Sequence, residues 1–120
     1  MLVKLIKDNI KIGDILYTPN HTEKRICSIT DEVMIYEHGR SRVWFLMADI
    51  VSAYERFKGT RVSSKDLRKF SPHVFDSKQC GHSCNAIVFQ MIMVRCGLTY
   101  GDIQGTGLSE NPFYIQLKQL

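Results

Sequence analysis

From Ser83 to Leu98 the chain runs Ser-Cys-Asn-Ala-Ile-Val-Phe-Gln-Met-Ile-Met-Val-Arg-Cys-Gly-Leu, and only Asn85, Gln90 and Arg95 are strongly polar. No wide solvent-facing stripe can be drawn on such a helix, so the pattern predicts one that is buried or covered by a partner. Ser83 suits the N-cap, where a hydroxyl accepts from an orphan backbone N–H, and Gly97 suits the left-handed residue after the last turn. The stretch falls short of the roughly 20 apolar residues that cross a membrane.

The N-terminal half follows a different period. Leu2–Ile6, Ile15–Thr18, Arg25–Ile29, Val33–Tyr36 and Arg42–Leu46 are short runs rich in β-branched and aromatic residues. Gly13-Asp14, Pro19-Asn20-His21, Thr30-Asp31 and His38–Ser41 supply turn chemistry between them, which predicts an antiparallel meander. Near Met47 the spacing becomes helical: Met47, Ile50, Val51 and Tyr54 share a face with Phe57 on its flank, and Gly59 stops the run. That helix should cover one face of the sheet. Trp44, set between Val43 and Phe45, is expected to pack in the seam as core material.

Thr60–Ser64 reads as a hinge, and Ser63-Ser64-Lys65-Asp66 resembles a capping box opening a short helix from Ser64 to Phe70. Pro72 cannot extend that helix, because its ring clashes with the preceding turn and it lacks a donor. His73–His82 should be loop or a single turn. After the long apolar helix, Ile103–Leu108 is glycine-rich and Pro112–Leu117 reads as a strand, so a terminal hairpin is expected. The fold class is therefore α+β, with an N-terminal antiparallel sheet under one covering helix and C-terminal helices around a buried central one. At 120 residues and 44% hydrophobic content the chain fits one domain, with a sheet-plus-helix subregion over 1–59 and a helical and hairpin subregion over 60–120.

Charge changes the picture in one place. Arg56, Lys58, Arg61, Lys65, Arg68 and Lys69 stand against the single acid Asp66, a local charge of +5 that exceeds the +4 of the whole chain. Such a run can hold a polyanion by displacing its condensed counterions. Short helix, loop, buried helix and glycine-rich hairpin also form an order that resembles the second half of a winged helix, over Ser63–Leu117. That resemblance implies nucleic-acid binding, although Ser71–His82 replaces the tight turn of about 3–4 residues that a helix-turn-helix uses. No signal-peptide pattern opens the chain, so a cytoplasmic location and reduced thiols at Cys27, Cys80, Cys84 and Cys96 are expected.

The second chemical feature is Cys80-Gly81-His82-Ser83-Cys84, preceded by His73. Thiolate and imidazole are zinc ligands, so His73, Cys80, His82 and Cys84 form a candidate metal set. Structural zinc sites use paired ligands at other spacings, however, and buried cysteine also serves as a small hydrophobe, which is the preferred reading. Cys84 lies where a first helical turn would favour its thiolate, and a nearby imidazole such as His82 would complete a Cys-His pair. This placement is similar to the nucleophile of papain-like and NlpC-type cysteine hydrolases, over Cys84–Leu98. In those families the histidine follows the cysteine, whereas His21, His38, His73 and His82 all precede Cys84, so the resemblance implies a permuted order using His21 or His38.

Asp14, Asp31 and Asp49 have no spacing that pairs two carboxylates, and Gly105-Thr106-Gly107 is too short for a phosphate loop. The leading expectation is a small cytoplasmic binding protein, not an enzyme, that meets nucleic-acid phosphates through Arg56, Lys58, Arg61, Lys65, Arg68 and Lys69. The alternatives are a Cys-His hydrolase-like or zinc-stabilised module centred on Cys84, and a subunit docking another protein or a second copy through its apolar helix. No cofactor and no membrane association are expected.

Overall fold

The chain opens with a helix, not the strand expected over Leu2–Ile6. A computed structural model describes residues 2–76 and 84–119, with Cys84 represented by its backbone, and places helix α1 at Leu2–Asn9. Leu2, Leu5, Ile6 and Ile10 recur at helical spacing, and Ile6 and Ile10 are wholly buried. The intervening lysines help: Lys4 pairs with Asp8 one turn on at 2.9 Å, and Lys11 Nζ caps the Lys7 carbonyl. Alternating Lys and Leu thus served a helical stripe.

Strands β1 (Ile15–Tyr17), β2 (Glu23–Ile29), β3 (Val33–His38) and β4 (Ser41–Leu46) then form the expected antiparallel meander in the order β1-β2-β3-β4. Cys27 is the extra residue of a bulge, since Ile26 faces Tyr36 while Ser28 faces Ile35. Met34 and Tyr36 of β3 and Val43 and Phe45 of β4 point inward. Trp44 does not join them. Side chains alternate faces along a strand, so a residue between inward Val43 and Phe45 is turned out, and Trp44 is 60% exposed.

Helix α2 (Met47–Phe57) covers the sheet through Met47, Ile50, Ala53, Tyr54 and Phe57, and ends as Gly59 takes a positive φ of 77°. The expected hinge is instead a short strand, β5 (Arg61–Ser63), paired with β6 (Tyr114–Gln116). Helix α3 (Ser64–Phe70) carries the full capping box: Asp66 N donates to Ser63 Oγ, and Ser63 N donates to the Asp66 carboxylate at 2.9 Å. Pro72 begins the one-turn helix α4 (Pro72–Phe75), where its missing N–H costs nothing.

Helix α5 (Cys84–Arg95) packs against α3, α4 and β1. Val88, Phe89, Gln90, Ile92 and Met93 are fully buried, as the absence of a polar stripe required. The edge-to-face ring contacts Phe45–Phe75 at 5.9 Å and Phe75–Phe89 at 6.1 Å carry one core from sheet through α4 to α5. Ser83, the expected N-cap, lies outside the described residues, while Gly97 closes the helix with φ 73° and donates to the Val94 carbonyl. The glycine-rich segment turns back as expected, with Gln104 and Tyr114 exchanging backbone bonds at 2.9 and 3.0 Å, and β5 extends that pairing. The fold is mixed α+β, with a Cα radius of gyration of 13.0 Å against about 13.6 Å for a chain of this length.

Candidate functional site

Lysine occupies a core-facing position in β2. Lys24 and Ile26 share one parity of the strand and both turn inward, so Lys24 is only 3% exposed. Its Nζ lies 2.8 Å from Nδ1 of His38, the last residue of β3. With Lys24 protonated, Nδ1 accepts and the ring proton resides on Nε2.

The turn between β1 and β2 brings further polar groups to the same place. Thr18 and Thr22 exchange backbone and side-chain bonds at 2.9 Å, and Thr18 Oγ1 donates to Asn20 Oδ1. His21 takes a positive φ of 65° at the tip of this turn. Thr18, Asn20, Thr22, Lys24 and His38 line a cavity of about 320 Å³. Ser64 and Arg68 of α3, Ala86 and Ile87 of α5, and Gly107 and Phe113 line it with them. Gly107 is required there, because a Cβ would sit 2.6 Å from the Phe113 ring. No carboxylate lines this cavity among the described residues.

Asn85 fixes the first turn of α5 against the sheet. Its Oδ1 accepts from the Tyr36 hydroxyl at 2.7 Å, and its Nδ2 donates to the Val74 carbonyl at 2.9 Å. Tyr36 and His38 are two apart on β3, so the helix that Cys84 begins is held beside the strand that ends in His38. Of the two histidines that a permuted order allowed, His38 lines the cavity with this helical turn, whereas His21 lies on the far side of its own turn, beside Tyr17 and Asp102.

Cys80 and His82 lie outside the described residues, as does the Cys84 side chain, and His73 is exposed on α4. Among the described residues no group of three metal-ligating side chains assembles. Cys27 and Cys96 are free thiols, and burial pushes the Cys96 thiol up to about 11. The basic run is divided among three elements. Arg56 lies over Phe57, Lys58 pairs with Glu55 at 2.7 Å, and Arg61 stacks 3.8 Å above the Tyr114 ring. Lys65, Arg68 and Lys69 occupy one face of α3 by their i, i+3, i+4 spacing and make no ion pair with the described acids.

Sequence reasoning missed Lys24 and Arg68 as cavity residues; it placed the turn at Pro19-Asn20-His21, but not that turn's part in the cavity. Strand parity offered a signal for the first, since a lysine sharing Ile26's face is out of place on a half-buried strand. Among the described residues no helix is long and apolar enough to cross a membrane. Comparisons of the chain with family models, curated proteins and solved structures give no match.

Proposed function

We propose that the chain is a thiol-dependent hydrolase or acyl transferase in which Cys84 is the nucleophile and His38 the partner imidazole. The observation that carries this reading is that the first turn of α5, headed by Cys84, shares a cavity with the Lys24–His38 pair. A thiolate in a first helical turn is favoured by the unpaired N–H groups there. It attacks a carbonyl carbon, and the bond to the leaving group breaks as that group takes the proton from His38 Nε2. Lys24 gives a proton to Nδ1 in the same step; water or an acceptor alcohol then attacks the thioester carbon, passing its proton to Nε2 as Nδ1 returns one to Lys24, and the C–S bond breaks to restore the thiolate. The order is permuted relative to papain-like enzymes, with the imidazole on a strand before the cysteine helix. A reactive thiol of this kind fits a reducing, cytoplasmic compartment.

Alkylation by iodoacetamide over a pH series, read for each cysteine peptide by mass spectrometry, tests the pair. The expected result is a Cys84 profile at least about one unit below that of an unperturbed thiol, moved up by His38→Ala. An ordinary Cys84 profile that ignores His38→Ala would overturn the reading.

A second reading, nucleic-acid binding, is favoured by the Lys65, Arg68 and Lys69 face, which no described acid neutralises. Phosphate contacts from such a face bind with little sequence preference and weaken steeply with salt. Titration of labelled single- and double-stranded DNA should show this, with Lys65→Ala lowering the salt slope by about one. No binding at low salt would remove the nucleic-acid reading.

A further inference from the structure

The composition of the cavity wall names a class of ligand. Lys24 and Arg68 bring two cationic side chains to one space, and Thr18, Asn20, Thr22 and Ser64 add hydroxyl and amide groups, with no carboxylate among the described lining residues. Neutral polar ligands gain little from such a wall, whereas an oxyanion meets charge-assisted donors there. Arg68 is suited to it, because a guanidinium presents parallel N–H groups that match two oxygens of one phosphoryl group. The volume, about 320 Å³, accommodates a small ligand and no folded chain.

We propose that this cavity binds a phosphoryl group, carried by a small molecule or by a lipid head. As a statement of substrate class it rests on the thiol-hydrolase reading: the phosphoryl group anchors a substrate whose acyl carbon then lies toward α5. As a binding site it stands on Lys24 and Arg68 alone. The α3 face outside the cavity is a separate surface, and Lys69, which does not line the cavity, tells the two apart.

Calorimetric titration of the full chain with inorganic phosphate and with glycerol 3-phosphate, in a low-salt buffer free of other oxyanions, is the test. Cosedimentation with phosphatidylglycerol vesicles, against phosphatidylcholine vesicles, reports a lipid head as the source. Saturable binding of one of these phosphate probes is expected, weakened tenfold or more by Arg68→Gln, unchanged by Lys69→Ala and retained by Cys84→Ser. Arg68 is only partly buried, so this variant is expected to fold, and its unchanged thermal midpoint verifies that. Lys24→Met serves as the second variant. Absence of saturable binding to every probe overturns the proposal, and so does an equal loss from Lys69→Ala and Arg68→Gln. Phosphate binding with an ordinary Cys84 thiol would leave this site standing and remove the hydrolase reading. An activated Cys84 without phosphate binding would do the reverse.

Discussion

Cys96 and Lys24 both occupy core-facing positions, with opposite chemical consequences. Cys96 is a small apolar filler whose burial raises its thiol from an ordinary 9.0 to about 11. The folded state therefore keeps its proton to higher pH than the unfolded chain does. Stability from this residue is complete below pH 9 and declines as pH rises from 9 towards 11, by at most about 2–3 kcal/mol. Urea unfolding at pH 8 and pH 10.5 should show wild type losing more stability than Cys96→Ala across that interval. Equal losses would show that Cys96 does not titrate with unfolding. Lys24 is the residue that one-dimensional reading could not place, because its role needs His38 from the next strand. Trp44 shows the same limit, since its hydrophobicity pointed inward while strand parity turned it out.

Elements with a single strong period were the most legible. The α5 stretch had no polar stripe, and it is the innermost helix; the capping box at Ser63 and Asp66 was visible as a four-residue pattern and formed as such. Replacing Ile92 with Asp would bury an unpaired charge where no water reaches, and thermal unfolding should then show loss of the cooperative transition. A transition unchanged from wild type would place α5 at the surface. Short elements were less legible. Over Leu2–Ile6 the apolar positions fit two periods, and the buried Ile6 and Ile10 reveal the helical one only once α2 lies beside it. β5 was hidden because three residues carry too little pattern, and its partner lies at the other end of the chain. The cavity was illegible for the same reason, drawing as it does on a turn, two strand positions, two helices and a glycine-rich loop.

Across the whole molecule, sheet and helices share one core, and the candidate site lies where they meet. That arrangement makes the site depend on the sheet–helix seam as well as on its own side chains. Tyr36→Phe leaves the ring in the core but strips Asn85 of a buried donor, at a cost of about 1–3 kcal/mol. A fall in unfolding midpoint together with a slower Cys84 alkylation is the expected outcome. A fall in stability with alkylation unchanged would show that the seam holds the fold without aligning the thiol.

The pairing of β5 with β6 also bears on how the protein is made. Synthesis is vectorial, so Val62 leaves the ribosome early and waits, its backbone unpartnered, until Ile115 has cleared the exit tunnel. Both residues are fully buried in the finished fold, and α3 follows directly from β5. Nascent chains whose emerged portion stops before Tyr114 should therefore remain open to protease around α3, with protection appearing only when the emerged portion includes Leu117. If the shorter chains were equally protected, the second sheet would be a late embellishment on a body already closed.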